Sequence, residues 1–404
     1  MTFDYIFPAM LLTAVLAGAH AQFDVRFNAM TKVNHVKDIN LQISEQTHGL
    51  MNVYVLPVGQ GDCTIIQCPN GNIIVVDCGS SGGMGLKPHQ IKDFLHSQLD
   101  KVVAIIITHP DRNHFNYLDK IEWIPSSINQ VVIGGNLDDY NGKTQDYVRF
   151  NQWLQMLNGQ GKLYKVNDGN TCIGNCAVPK GTDFCESQKI SFNILAANIQ
   201  GPSLNEKSIV MKVTVGSWSI LLPGDVEGKA AKDIAKELGP NLKSVVYKMA
   251  EHGDSNEANN LIWLDPIQPR MAFASSAYNG QPDISLHPQC NTVTRLHNLQ
   301  TIGDAERHPF HCGNGEVLDP TQYDDFTYNI FETSPTPDMI CSLVYHSSGE
   351  QSFECYRMTE TTFEKGWPFE GDSKGGGASM NMIDEKNCLV SSKKGCHHKS
   401  NKKY

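Results

Sequence analysis

Beyond residues 1–21 the chain has no apolar run long enough to cross a bilayer. It also lacks any Asn-x-Ser/Thr acceptor for N-linked sugar. No internal repeat is visible, which sets aside solenoids and propellers. Positive charge is short as well: 33 Lys and Arg stand against 43 Asp and Glu, a net charge of −10. Setting aside residues 1–21, which carry only Asp4, leaves −9. Such a chain does not coat nucleic acid through net charge, because phosphate neutralisation needs a cationic surface. A nuclease is not excluded, since bound metals can supply positive charge locally.

What is present is an ordinary globular composition, 40% hydrophobic over 404 residues. That suits one large or two small domains with a sizeable core. Ile6 to Ala19 form an apolar stretch, and Ala19-His20-Ala21 is a small-x-small step before Gln22. The pattern predicts a secretory signal peptide over 1–21 and a soluble, extracellular mature protein. The 12 cysteines fit an oxidising compartment. Cys341 and Cys355 flank the turn at His346–Glu350 within two strand-like runs, so a hairpin would place them opposite each other. Cys290 and Cys312 flank a loop, and Cys388 and Cys396 lie together in the tail. Cys172, Cys176 and Cys185 can pair among themselves or reach Cys63, Cys68 or Cys78.

Residues 22–50 are a polar lead-in with room for one short helix. Short β-branched runs then begin, at 52–58, 63–68, 72–78, 102–108 and 130–135, with helical stretches at 89–99 and 144–157 between them. A second set of runs covers 189–195, 208–215, 217–224, 244–250 and 269–275, with helices expected at 227–238 and 255–264. Two β-rich blocks with interleaved helices predict an α/β class, a sandwich of two sheets with helices outside. The expected divisions are a core domain over 51–299, an extension over 300–371 closed by the cysteine hairpin, and a tail over 372–404. The tail is rich in Gly, Ser and Lys, suited to a solvated end or to contact with polyanions.

Three apolar strands run straight into metal-ligand residue types. Residues 102–108 lead into His109-Pro110-Asp111-Arg112-Asn113-His114, 218–224 into Asp225, and 244–250 into Glu251-His252. Ligands gather beyond the carboxyl ends of strands in α/β sheets, where rigid backbone holds donors in place. Imidazole mixed with carboxylate suits Zn, Mn or Fe, and the set is large enough for one or two divalent ions. Gly59-Gln60-Gly61-Asp62 lacks the Lys-Ser/Thr of a phosphate loop. It reads as a tight turn with Asp62 bonded to backbone. Ser80-Ser81-Gly82-Gly83 is either a site-lining loop or a plain connector. Phe150, Trp153 and Leu157 fall at helical spacing and read as core. His308-Pro309-Phe310-His311-Cys312 reads as a tethered surface loop, with a second metal site as the alternative.

Thr108–His114 resembles the His-x-[His/Asp]-x-Asp-His signature of the metallo-β-lactamase superfamily. Asn72–Ser80, with Asp77, is similar to its first motif; Leu221–Glu227, with Asp225, to its bridging-carboxylate motif; and Met249–Ser255, with His252, to its later His motif. Val55–Gly71 and Met271–Pro288 resemble a narrower branch, the hydrolase domain attached to bacterial competence (DNA-uptake) channels. The resemblance covers residues 52–288. It implies a four-layer αβ/βα sandwich with the metal between the sheets. It also implies that His109, Asp111 and Asp225 hold one ion. His114, His252 and Asp225 would contribute to a second with position 113, and His287 would bind or protonate substrate at the site edge.

Two positions depart from the pattern. The motif Asp at 113 is Asn, a neutral and weaker ligand that can still bind through its carbonyl oxygen or donate to the substrate. The His expected at 251 is Glu, which on a continuing strand points away from His252 and on an ended one can replace a ligand or act as a base. No His occurs between 115 and 251, which matches the competence branch and argues against β-lactam hydrolysis. The resulting expectation is a secreted hydrolase using a metal-activated water. Its first substrate class is a phosphodiester in a nucleic acid or nucleotide, and its second a lactone, thioester or other ester. The rival is a non-catalytic protein that keeps the fold for binding or matrix structure, favoured by Asn113. The set of His109, Asp111, His114, Asp225 and His252 together weighs against it.

Overall fold

Side chains in the buried strands divide by parity, and that division builds the layers. In the computed structural model, Ala104 and Ile106 of β5 (Val102–Ile107) enter one core cluster while Ile105 and Ile107 enter another. The structure describes residues 31–33, 51–81, 85–121, 123, 126–177, 183–187, 190–216, 218–255, 257–276, 287–313, 321–328, 330–333, 339–345 and 351–358.

The first sheet runs in the order β1 (Thr31–Val33), β18 (Gln351–Met358), β17 (Met339–Tyr345), β2 (Met51–Val55), β3 (Thr64–Gln67), β4 (Ile73–Val76), β5, β6 (Gln130–Ile133) and β7 (Leu163–Lys165). The second runs β16 (Ile330–Glu332), β13 (Met271–Ala274), β12 (Val246–Lys248), β11 (Trp218–Leu222), β10 (Val210–Val215), β9 (Ile190–Ala197) and β8 (Cys172–Ile173). A separate ladder pairs β14 (Asp304–Cys312) with β15 (Thr321–Tyr328).

The inner faces meet in one core, where Val53, Ile66, Ile74 and Ile106 pack with Phe192, Met211, Trp218, Ile220 and Phe273. The outer face of the first sheet is covered by α1 (Pro88–Leu95) and α3 (Gln145–Gly159) through Ile91, Phe94, Phe150 and Leu154. The outer face of the second is covered by α4 (Gly228–Leu238), α5 (Leu261–Ile267) and α6 (Cys290–Asn298) through Ile234, Trp263 and Leu296. The architecture is therefore the four-layer αβ/βα sandwich. Phe150 and Leu157 are core, as their spacing suggests, and Trp153 packs against them partly buried. No helix among the described residues is long and apolar enough to cross a membrane.

Several sequence expectations shift. Residues 255 and 257–260 are not helical. Asn259 donates to Ala250 O and Asp254 O, which holds this stretch as a loop. The helix starts only after Asn260, whose side chain accepts from Trp263 N at 3.2 Å as an N-cap. The segment taken as an extension supplies strands to both sheets: β17 pairs antiparallel with β2, and β16 parallel with β13. β2 would otherwise present an unpaired edge. In the lead-in, residues 31–33 form a strand beside β18, and the rest of it, where a short helix was expected, lies outside the described residues. His311 lies in β14, not in a loop, with Nδ1 3.1 Å from Glu332 Oε1. The signal segment 1–21 and the tail 372–404, with Cys388, Cys396 and the tail histidines, lie outside the described residues.

Four disulfides are formed among the described residues: Cys63–Cys78, Cys68–Cys185, Cys172–Cys176 and Cys290–Cys312. Cys341 and Cys355 stand directly opposite each other on β17 and β18. Cys63–Cys78 ties the residue after Asp62 to the residue after Asp77, at a sequence separation of 15. Loop closure of that length stabilises by about 3 kcal/mol in the chain-entropy treatment. The Cys63→Ala/Cys78→Ala variant is expected to lose about 2–4 kcal/mol in urea unfolding. An unchanged midpoint would contradict that role.

Candidate metal centre

The candidate ligands gather where parallel strands of the two sheets end. Asp77 follows β4, and Thr108 and His109 follow β5, which pairs parallel with β4. Asp225 follows β11 through Pro223-Gly224, and Lys248 ends the parallel neighbour β12. A Cβ on Gly224 (φ +60°) would lie 2.8 Å from Ser208 Oγ and 2.9 Å from Thr108 Cβ, so only glycine brings Asp225 this close. Asp77, Glu251 and His252 hold left-handed backbone at φ +53°, +44° and +52°. Non-glycine residues in that region concentrate at functional sites. The short helix α2 (Arg112–Phe115), which carries Asn113 and His114, is anchored through Arg112 Nε to Asp146 of α3 at 2.6 Å.

Hydrogen bonds fix which nitrogen of each imidazole carries the proton. Thr108 N and Oγ1 donate to the Asp77 carboxylate at 2.7 and 2.8 Å. With its proton so engaged, Thr108 Oγ1 accepts from His109 Nδ1 at 3.0 Å. His114 Nδ1 donates to Asp77 Oδ2 at 2.9 Å, and His252 Nδ1 to Ser275 O at 2.7 Å. That leaves Nε2 of His109 and His252 as lone pairs, while His114 Nε2 shares a proton with Asp225 and becomes a lone-pair donor when that proton leaves. All three face Asp225 Oδ2, at 3.9 Å for His109, 2.7 Å for His114 and 3.1 Å for His252. An imidazole held by a carboxylate, hydroxyl or carbonyl behind it, with its far nitrogen free, is the usual arrangement around a metal. His109 Nε2 is buried and has no hydrogen-bond partner among the described residues. His109, His114 and Asp225 place one donor atom each within 4.8 Å of one another. This donor set fits a divalent cation.

Charge is packed tightly here. Burial opposes charge on His114, but Asp225 and Asp77 outweigh it and hold its pKa well above the ordinary 6.5. Burial likewise opposes the Asp225 carboxylate, yet His114, His252 and Lys248 hold it well below 3.8. Burial, then the nearby His114 charge, lowers His109 to about 4, so its ring is neutral at pH 7. Burial, then Asp225 and Glu227, pushes Glu251 up to about 10.

The signs follow for the metal-free protein. The raised His114 pKa contributes stability that is complete below about pH 6.5 and fades as pH rises through the folded value. The depressed Asp225 pKa contributes stability that is complete above about pH 3.8 and is lost as pH falls. Metal loading must displace the proton between His114 and Asp225. Calorimetry in buffers of different ionisation enthalpy is expected to show about one proton released per ion near neutrality. Loading with no proton release would contradict this pairing.

The structure brings together His109, His114, Asp225 and His252. Asp111 stands at the exposed rim, its Oδ2 3.9 Å from His109 Nε2 and its side chain 38% exposed. Asn113 Nδ2 donates to His252 Nε2 at 2.9 Å. His287 is half-buried, with its ring centroid 6.5 Å from that of His252. Glu251 faces the site rather than away, and its Oε2 accepts from Asn205 Nδ2 at 2.8 Å. The Asp62 side chain is not bonded to backbone as the turn reading had it. It pairs with Lys248 Nζ.

Lys248 is the residue that the sequence reading missed. Its Nζ also donates to Asp225 Oδ1 and to Gly224 O, both at 3.0 Å. The available signal was a lysine closing an apolar strand beside acid-ended neighbours. Gly79-Ser80-Ser81-Gly82-Gly83 has the Gly-x-Ser-x-Gly spacing of a serine-hydrolase elbow. Ser81 Oγ is engaged with Gln60 O at 3.0 Å, and Asn116 holds Ser80 N and O. Residues 82–84 lie outside the described set.

Comparison with known proteins agrees with this geometry. Residues 56–119 match the model of the metallo-β-lactamase superfamily. The chain has the metallo-β-lactamase fold. It is 28% identical over 120 residues to Competence protein ComA of Neisseria gonorrhoeae, covering 28% of this chain and 17% of that protein. It is 22% identical over 298 residues to ComE operon protein 3 of Bacillus subtilis, covering 68% and 35%. Recombination protein 2 of Haemophilus influenzae is 25% identical over 262 residues, covering 64% and 28%. The matches thus span between about a sixth and a third of these relatives' length. Among solved structures, CmlA, a diiron β-hydroxylase from Streptomyces venezuelae, gives a TM-score of 0.33 at 13% identity, covering 56% of this chain and 44% of that one. A long form RNase Z from yeast gives 0.34 at 12%, covering 58% and 38%.

Proposed function

We propose that this chain is an exported, metal-dependent hydrolase acting first on phosphodiesters, in DNA or a nucleotide, and second on lactones, thioesters or other esters. The observation that carries the reading is the buried, unpartnered His109 Nε2 set beside His114 and Asp225. A divalent cation held there, Zn or Mn by donor type, supplies Lewis acidity and a nucleophile at neutral pH. His109, His114 and Asp225 would hold it, while Asp77 and Thr108 keep both imidazoles in the binding tautomer. Asp111 offers a further oxygen at the rim. His287 Nδ1 is buried with no partner among the described residues, and burial, followed by the neighbouring His252, lowers its pKa to about 4. It is therefore neutral at pH 7 and can accept a proton at Nδ1 at the site edge.

The names of two relatives, a competence protein and a recombination protein, support a nucleic-acid substrate over a β-lactam. The disulfides support an oxidising compartment and with it the export signal.

The test is turnover of bis(p-nitrophenyl) phosphate, single-stranded DNA and a panel of esters and lactones by the Zn- or Mn-loaded full chain. Phosphodiester cleavage abolished by chelation and by Asp225→Ala is expected. Folded, metal-loaded protein that turns over nothing would favour the second reading, a non-catalytic binding or matrix protein. Asn113 is the residue on that side, with its amide committed to His252.

A further inference from the structure

Resting on the metal-centre reading, we infer that the centre is mononuclear, because the chain's own donors fill the second cation position. Among the described residues three trios place one donor atom each within 4.8 Å of one another: His109, His114 and Asp225; Asp62, Asp225 and His252; and Asp62, Asp77 and His114. The first holds a buried imidazole nitrogen with no partner among the described residues, His109 Nε2; the other two share Asp62, whose Oδ1 has no partner but whose Oδ2 is paired with Lys248. In the second, the Lys248 ammonium already stands between the two carboxylates, paired with Asp62 and 3.0 Å from Asp225 Oδ1. The imidazole of that trio is engaged too, because Asn113 Nδ2 donates to His252 Nε2 at 2.9 Å. In the third, His114 Nδ1 donates to Asp77 Oδ2 at 2.9 Å, with Asp62 Oδ2 at 3.5 Å from the same nitrogen.

Charge agrees with this count. Asp62, Asp77 and Asp225 are buried carboxylates, each at most 3% exposed. One ammonium and one dication neutralise three carboxylates. A second dication would leave surplus positive charge in a buried site, which is costly without further anions. Lys248 itself is 3% exposed and, among the described residues, directs Nζ at oxygens of Asp62, Asp225 and Gly224. It is a positioning residue that holds Asp225 Oδ1, leaving Oδ2 for the ion.

The test is metal stoichiometry of the full chain, saturated with Zn and then desalted, by elemental mass spectrometry. Wild type and Asn113→Asp are each expected to retain about one equivalent, because Lys248 stays in place in both. Lys248→Met combined with Asn113→Asp is expected to retain about two. Two equivalents in the wild type, or in Asn113→Asp alone, overturns the inference. So does a single equivalent in the folded double variant. If the double variant does not fold, the first two proteins still decide, and cobalt(II) titration provides an independent count through the visible-band endpoint. Zero equivalents in the wild type would instead remove the metal-centre reading itself.

Discussion

Asp225→Ala is expected to empty the centre and destabilise the protein at once. Asp225 Oδ2 faces His114 and His252, and Oδ1 receives Lys248. Without it the metal trio loses its carboxylate, and retained metal should fall by at least ~10-fold, as removal of a direct ligand costs at least what removal of a supporting partner does. Lys248 would keep only Asp62 as a charged partner in a buried setting. Breaking a buried pair from one side typically costs about 3–5 kcal/mol. Metal analysis and urea unfolding read the two effects separately. Asp225→Asn should lose metal with a smaller stability change, since the amide oxygen can still accept from Lys248. Full metal retention in Asp225→Ala would contradict the assignment of this carboxylate.

Asp77→Ala is expected to have the second-largest effect, although Asp77 is not placed to bind the ion. Its carboxylate accepts from Thr108 N, Thr108 Oγ1 and His114 Nδ1 within 2.9 Å. Removal strands buried donors at about 1–3 kcal/mol each. It also frees both imidazoles to change tautomer, because Thr108 Oγ1 is no longer committed as an acceptor for His109. Loss of such a supporting partner typically lowers metal affinity about 10–100-fold. Competition with a chromophoric chelator measures that drop. An unchanged affinity would show that the tautomers are set by something other than Asp77.

Most of the site could be read from the sequence because its ligands sit at the ends of apolar strands. The parity of runs such as 102–107 places the strands, and the strands carry their last residues to one edge. His109, Asp225 and His252 follow from that logic alone. The partners behind them do not. Nothing in the local pattern around Lys248 says that it faces Asp62, which is distant in sequence and belongs to the other sheet's turn. Long-range pairing of a lone charge is decided by how the two sheets stack. Strand exchange was hidden for the same reason: 300–371 looked like an extension because its strands pair with β2 and β13, far earlier in the chain. The helix expected at 255–264 is displaced to Leu261–Ile267 for a local reason instead. Asn259 and Asn260 bond to nearby backbone, and such side chains favour loops and caps over helix interiors.

The most direct measurement is X-ray absorption at the metal edge of the zinc-loaded full chain. A trio of His109, His114 and Asp225 gives nitrogen and oxygen ligands at about 2.0–2.2 Å, with the multiple-scattering signature of imidazole and no sulfur. That signature should weaken in His109→Ala while the protein remains folded. Sulfur ligation, an all-oxygen shell, or no retained zinc in the wild type would contradict a metal centre built on His109, His114 and Asp225.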